Sequence, residues 1–508
     1  MDERFRPLAR ELIDGIVSGE IPTREDVQKR KLALCAEHSL PDVPPNSAIL
    51  AFADPDELEC VGPLLLKKPV RTLSGVAVVA VMTSPHPCPH GKCVYCPGGA
   101  DQGSPQSYTG KEPAARRAER NGFDPWRQVT DRLRQLKQIG HGTDKVDLII
   151  MGGTFTSRDA GYREWFVRRC FDALNGRDAP DLATAHLWNE TSANRCVGLT
   201  VETRPDVFGE AEIDDALSLG VTRVELGVQI LDDGILASVN RGHGVGEVVQ
   251  STEACKRKGL KVCYHIMPGL PGSSPRKDLE AFSKLFDDPR FRPDMLKLYT
   301  ALVIAGTGLH DMWQAGEYEP YDLGTAIALL SDMKARIPPY VRVQRVQRDI
   351  PAPQIAAGIT RSNIREVVAD EMRSRGTRCG CIRCREAGPA EAPADVPLGD
   401  LVYEASGGTE HFISAEAGGL LFGYARLRTD GDLASLRELK VFGRMAGFGD
   451  DGNVQHRGLG TRLLERAEAV ARESGAVKIR ATSGVGVRGY YADRGYSRDG
   501  PYMSKALR

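Results

Sequence analysis

At 508 residues, with 41% hydrophobic and 27% charged residues and a formal net charge of −1, the chain has room for about two to four globular domains and advertises no nucleic-acid partner through overall charge. The longest apolar run, Val76 to Met82, is far too short to span a bilayer, and Met1 to Arg10 lacks the apolar core of a signal peptide, so a cytoplasmic enzyme without a membrane partner is expected. Six of the twelve cysteines fall in two tight clusters, which in a chain of this size imply metals in a reducing compartment rather than a disulfide framework.

Residues 1–75 read as a small helical segment. Phe5, Leu8, Leu12, Ile13 and Ile16 follow helical spacing, and Thr23 stands as an N-cap ahead of Glu25 and Asp26, opening a second helix toward Ala36. The basic triplet Lys29-Arg30-Lys31 suits an RNA backbone or, more simply, a solvent-facing helix surface.

From 76 to 340 short β-rich runs alternate with amphipathic helices. Strands are expected at Val76–Met82, Val146–Met151, Val197–Val201, Arg223–Val228, Lys261–Met267 and Met295–Val303, and helices near 126–139, 161–174, 210–219, 246–258 and 275–286. The alternation predicts an α/β domain built on a parallel sheet. About six units suggest an open, partial barrel, whose active-site groups collect at the carboxyl ends of the strands.

Beyond the first strand, Cys88, Cys93 and Cys96 have four and then two residues between them, in a loop rich in Pro and Gly. A structural zinc site wants four closed ligands. Three thiolates instead hold three irons of a [4Fe–4S] cluster and leave the fourth open, where S-adenosylmethionine can chelate. A zinc knuckle completed by His86 or His90, or unrelated buried thiols, would use the same residues differently. Tyr95 can cover the cluster. At the ends of the next strands, Gly152 and Gly153 let the backbone approach a methionine amino group, and Glu202 and Arg204 offer it an acceptor and a donor. Gln229 and His265 can bind ribose hydroxyls or position substrate.

Between 341 and 398 lies an Arg-rich stretch. Ten arginines face four acidic residues from 341 to 385, a local excess that suits a phosphate backbone or a solvated surface. Cys379, Cys381 and Cys384 can clamp one soft ion, of which Zn²⁺ is the usual occupant and a second iron–sulfur cluster the rival. Residues 386–398 read as a linker.

The remaining span, 399–508, has strand-like runs at 400–405, 420–427 and 434–442, then Gln455 to Gly460 leading into a helix with apolar Leu463, Leu464, Ala467 and Val470. The turn at Gly458 and Gly460 frees backbone amides at a helix N-terminus for a pyrophosphate. With Gly489-Tyr490-Tyr491 following, this part looks like an acetyl-coenzyme A module of the GNAT class.

Taken together, the segments His86 to Gly99, Asp144-Lys145, Met151 to Phe155, Val201 to Pro205, Arg437 to Val441, Gln455 to Gly460 and Gly489 to Tyr491 resemble the catalytic subunit of Elongator in its stand-alone archaeal or bacterial form, over nearly the whole chain. The resemblance implies a radical S-adenosylmethionine barrel and a GNAT domain. It also implies carboxymethylation of carbon 5 of the wobble uridine (position 34) of tRNA, without other Elongator subunits. In that chemistry a 5′-deoxyadenosyl radical takes hydrogen from the acetyl methyl of acetyl-coenzyme A, the carbon radical adds to the base, and the thioester is hydrolysed. Coenzyme contacts carry over to Lys145, to Glu438, Leu439, Lys440 and Val441, to Val454, Gln455 and His456, and to Tyr491, with Tyr490 beside it. Lys145 and Tyr491 are the candidate catalytic pair, and Lys440 stands where the family often has histidine. The methyl must meet the adenosyl carbon, so the GNAT module is expected to face the barrel mouth around 341–385. Two rivals remain at this level: a protein lysine acetyltransferase with a passive barrel, and a tRNA-binding scaffold without catalysis.

Overall fold

The computed structural model describes residues 3–54, 56–65, 75–388, 390, 392–393, 395–443 and 458–507. Val454, Gln455 and His456 lie outside them. Among the described residues no helix is long and apolar enough to cross a membrane.

The amino-terminal segment is helical. Helix Arg6–Val17 buries Leu8, Leu12, Ile13 and Ile16. Helix Arg24–Glu37 begins where the Thr23 side chain accepts a hydrogen bond from the Asp26 amide, and it contributes Val27 and Leu34 to the same small core.

The barrel follows. Strands β1 (Ala77–Met82), β2 (Lys145–Met151), β3 (Arg195–Thr203), β4 (Arg223–Gln229), β5 (Lys261–Ile266) and β6 (Met295–Leu298) are joined by β8 (Arg342–Val346), after a short β7 (Val303–Ile304) that pairs instead with β9 (Ile355–Ala357). All seven long strands run parallel, in the order β1-β2-β3-β4-β5-β6-β8. The sheet thus has one strand more than the six read from the sequence. That strand lies inside the Arg-rich stretch, where Arg342, Gln344 and Arg345 alternate with valines and mask the apolar signal.

Alternate residues decide what the sheet does. Val146, Leu148 and Ile150 of β2, Leu199 and Val201 of β3, Val224, Leu226 and Val228 of β4 and Val262, Tyr264 and Ile266 of β5 pack under the surrounding helices. Their neighbours Asp147, Thr200, Glu202, Glu225, Cys263, His265 and Lys297 line the opposite, concave face. A closed eight-stranded barrel fills that space with branched apolar side chains; here it is polar.

The last part is a second seven-stranded sheet, formed by β10 (Leu398–Ala405), β11 (Gly408–Ala417), β12 (Leu420–Asp430), β13 (Leu433–Val441), β14 (Lys478–Ala481), β15 (Ser497–Asp499) and β16 (Tyr502–Ala506). Its order is β10-β11-β12-β13-β14-β16-β15, antiparallel except for β13 beside β14. Helix Leu459–Glu473 buries Leu463, Leu464, Ala467 and Val470 against it.

This module packs on the amino-terminal ends of the barrel strands, not on the mouth where it was expected. Arg437 of β13 reaches the Leu260 carbonyl just before β5 and the Asp294 carboxylate just before β6. Tyr502 donates to the Lys258 carbonyl at 2.8 Å, and Arg480 to that of Arg257 at 2.6 Å. Complementary charge explains the choice of face: the amino ends carry Asp294 and Lys256, and the module presents Arg426, Arg437 and Glu410, all buried.

Candidate active site

The cysteine loop leaves β1 and is tied to the barrel by its backbone. The Val94 amide donates to the Val239 carbonyl, and the Leu309 amide to the Val94 carbonyl. Polar groups converge on the sulfurs. Gln106 Nε2 donates to Cys96 Sγ at 3.0 Å and Arg241 Nη1 to Cys93 Sγ at 3.6 Å, while His90 Nε2 lies 3.2 Å from Cys93 Sγ and Thr154 Oγ1 3.3 Å from Cys88 Sγ. Burial raises the Cys88 and Cys93 thiols above their ordinary pKa, so a bound cation is needed to make them thiolates. Although burial works against its charge, Tyr95 and Cys93 hold the Arg241 guanidinium above its ordinary pKa, so it stays cationic. Tyr95 is buried over the loop, with no hydrogen-bond partner for its hydroxyl.

These three sulfurs do not converge tightly enough for one ion. Among the described residues, the three-thiol group with sulfurs within 4.8 Å of one another is Cys379, Cys381 and Cys384. A tetrahedral ion needs that closeness, whereas a cube spreads its thiolates over separate corners. The first triad therefore fits a [4Fe–4S] cluster and the second a single ion. In the second triad, hydrogen bonds from Cys379 and Cys384 pull the Cys381 thiol well below its ordinary pKa, and no fourth His, Cys or carboxylate among the described residues joins the group.

Beside the first loop the structure collects the residues read for S-adenosylmethionine. Gly152 and Gly153 have φ of +132° and +92°, and a Cβ on Gly152 would stand 2.1 Å from Thr83 Oγ1. Arg204 forks onto Asp206 at 2.9 and 2.7 Å and keeps one buried amino group, Nη1, without a partner. Gln229 adopts a left-handed φ of +73°, and its amide oxygen is buried and unpartnered. Buried polar atoms without partners are rare in finished structures and mark where a ligand or water completes the site. Glu202 accepts from Tyr108 at 2.7 Å.

The coenzyme residues gather at the other end. β13 pairs with β14 only through Leu433–Leu436, so among the described residues Arg437–Val441 has no strand partner on that edge. A bulge makes Arg437 an extra residue opposite β12, after which Leu439 and Val441 face the module's own core while Glu438 pairs with Arg426 at 2.9 Å. Gly458 opens helix Leu459–Glu473 with φ +81°, and Tyr490 places an unpartnered, buried hydroxyl beside Gly460. Tyr491 is buried next to Tyr490. An open strand edge facing a helix N-terminus suits an extended thioester carrying a pyrophosphate. Lys145 starts β2, at the end of the barrel on which the module packs.

Four family models match consecutive parts of the chain: the ELP3 N-terminal domain over 5–73, the Radical SAM superfamily over 84–285, the Radical_SAM C-terminal domain over 293–374 and the Acetyltransferase (GNAT) family over 380–496. Over 100% of the chain and 99% of its own length, the tRNA uridine(34) acetyltransferase of Methanocaldococcus jannaschii is 45% identical. This chain belongs to the Elp3 family. Human Elongator complex protein 3 is 42% identical over 95% of the chain and 93% of its length. The solved structure of Methanocaldococcus infernus Elp3 lacking residues 1–46 superposes with a TM-score of 0.76, at 43% identity over 85% of the chain and 100% of that chain.

Several residues of this Elp3-family site lie outside any sequence motif. Glu225 and Lys297 are buried and in contact inside the barrel, where His265 Nε2 also meets Glu225 Oε2 at 2.8 Å. Although burial would raise it, Lys297 and then His265 hold the Glu225 carboxyl well below the ordinary range. Arg241, Tyr108 and Tyr299 were likewise unreadable, since each lies outside any motif. A charged residue within an otherwise apolar strand run, as in Val224-Glu225-Leu226 or Leu296-Lys297-Leu298, is the one cue that would have found the first two.

Proposed function

We propose that this protein makes 5-carboxymethyluridine at the wobble uridine of tRNA, position 34, using acetyl-coenzyme A as the carbon donor and S-adenosylmethionine as the radical source. A cluster held by Cys88, Cys93 and Cys96 supplies, when bound, the electron that cleaves S-adenosylmethionine. Gln106 and Arg241 compensate the thiolate charge around it, and Gly152, Gly153, Glu202, Arg204 and Gln229 bind the methionine and ribose groups. Glu438 to Val441 and the turn at Gly458 and Gly460 hold the coenzyme, and Lys145 and Tyr491, the candidate catalytic pair, contact it from the amino ends of the barrel strands and from the module. Cys379, Cys381 and Cys384 hold Zn²⁺ for structure beside the Arg-rich stretch that meets the tRNA backbone. The protein works in the cytoplasm and without the other Elongator subunits.

The observation that carries this reading is the fastening, through one buried ionic interface, of a barrel that carries a three-thiol loop at its far end to a module with an open coenzyme edge. A lysine acetyltransferase has no use for the first and a scaffold has no use for either. The deciding experiment is mass spectrometry of tRNA after anaerobic incubation with dithionite, S-adenosylmethionine and acetyl-coenzyme A. A carboxymethyl group on the wobble uridine, and acetyl-coenzyme A hydrolysis that rises when tRNA is added, are expected; Lys145→Ala and Tyr491→Phe should each reduce that hydrolysis. Hydrolysis indifferent to tRNA, with efficient acetylation of a lysine peptide in the absence of iron, would overturn the reading.

A further inference from the structure

Inside the barrel, one ring nitrogen of His265 is fixed, and among the described residues the other has no hydrogen-bond partner. Nε2 lies 2.8 Å from Glu225 Oε2, a carboxylate oxygen that can only accept, so Nε2 carries the hydrogen and Nδ1 of the neutral ring keeps its lone pair. Glu225 is held in turn. Its side chain is 0% exposed, Lys297 Nζ contacts the same oxygen, and Lys297 also lies 3.7 Å from Glu202 Oε1. The imidazole, at 17% exposure, is the most exposed side chain of the three, and Tyr299 packs edge-on against it at 5.6 Å. A carboxylate orienting an imidazole whose second nitrogen is free is the arrangement of a general base.

We propose that His265 is the general base that activates water for hydrolysis of the thioester, with Glu225 and Lys297 as its positioning residues; this rests on the function proposed above. After carbon–carbon bond formation the thioester carbonyl is one methylene from carbon 5 of the base. Hydrolysis therefore takes place where the base reacts, at the carboxyl ends of the strands, and His265 is the penultimate residue of β5. His265 Nδ1 takes a proton from water as the water oxygen bonds to the carbonyl carbon. The carbon–sulfur bond then breaks, and the imidazolium proton passes to the departing coenzyme A thiolate, leaving a carboxylic acid. No oxidant or reductant is consumed.

The carboxylate of the coenzyme strand is a poorer candidate. Although burial raises it, Lys261 and Arg426 hold Glu438 down to about 2, too acidic for a useful base. Nor is the site built for a metal. Donor atoms of Glu225, Cys263 and His265 lie within 4.8 Å of one another, but the Lys297 ammonium already sits on the carboxylate and repels a second cation.

The test uses the full-length, cluster-loaded protein with tRNA, acetyl-coenzyme A, S-adenosylmethionine and dithionite, and measures the ratio of coenzyme A-linked tRNA to carboxymethylated tRNA. His265→Gln should raise that ratio by about 10²-fold, the usual contribution of a general base, and added imidazole should lower it again in His265→Ala. Independently of turnover, nitrogen NMR of the oxidised protein should show the hydrogen of His265 on Nε2, with that preference weakened in Glu225→Gln. A ratio unchanged in His265→Gln, a ratio raised by Glu438→Gln instead, or a hydrogen found on Nδ1 would each overturn the proposal. A wild-type protein giving neither product would sink the functional reading itself, which separates the two failures.

Discussion

The Arg437 guanidinium forks onto both carboxylate oxygens of Asp294 across the boundary between the acetyltransferase sheet and the barrel, with neither side chain exposed to solvent. Arg437 also meets Glu410 at 2.8 Å, and Lys256 and Arg426 complete a buried cluster of three cations and two carboxylates. Breaking one partner of such a pair strands the other in a dry interface. Asp294→Asn should therefore cost about 3–5 kcal/mol, read as a fall in the urea midpoint. The pH dependence has a fixed sign. Although burial raises it, Arg437 and Lys256 hold the Asp294 carboxyl far below its ordinary 3.8. Its contribution is complete above that ordinary value and is lost as pH falls toward the folded one; a stability flat from neutrality to strong acid would contradict it.

Lys440 should show the opposite dependence. Burial first, and then Arg342, lower its pKa from 10.5 to about 8, so folding disfavours its charge. Below pH 8 the native state carries the whole of that penalty, and between 8 and 10.5, where the unfolded chain binds more protons, stability rises with pH. Lys440→Met should therefore be more stable than the parent at pH 7, with the difference shrinking as pH approaches 10.5. Parallel melting curves of the two proteins across that range check it.

Cys88→Ala, Cys93→Ala and Cys96→Ala should each lose iron and 5′-deoxyadenosine formation while keeping coenzyme affinity, because the cysteine loop and β13 lie at opposite ends of the barrel. Iron analysis, product yield and coenzyme titration check the three parts. Full cleavage of S-adenosylmethionine by a reconstituted triple variant would remove the cluster assignment.

Replacing Cys379, Cys381 and Cys384 by serine should release zinc and lower both thermal stability and tRNA affinity. The Ile382 amide donates to the Val341 carbonyl beside β8, so the metal clamp props the last barrel strand and the arginines around it. Iron with acid-labile sulfide at these three positions would rule out the zinc assignment.

Gly152→Ala should weaken S-adenosylmethionine binding and destabilise the fold by about 1–3 kcal/mol. The new Cβ would stand 2.1 Å from Thr83 Oγ1 at a φ of +132°. An alanine variant with unchanged melting temperature and affinity would show that the loop has room the structure does not suggest.

Much of this protein was legible from residue order. The helices at Pro125–Gln138, Ala160–Asn175, Val245–Arg257 and Pro275–Asp287 lie within a residue or two of the stretches read from periodicity, because amphipathic patterns and caps such as Thr23 act locally. The cysteine loop after β1, the two glycines after β2 and Gly458 at the start of helix Leu459–Glu473 fall at the element ends that residue order placed them at, since each needs particular residue types at fixed spacing. Strand β8 was not, because its valines alternate with arginines. Which end of the barrel the acetyltransferase module occupies was not readable either: Asp294 and Arg437 are unremarkable in sequence and become a pair only when the chain brings them together. The same holds for Glu225, His265 and Lys297. Each reads as one polar residue in an apolar strand, and only parallel pairing of β4, β5 and β6 turns three such exceptions into one buried site, because a charge can stay in a barrel lumen only where neighbouring strands supply its partners.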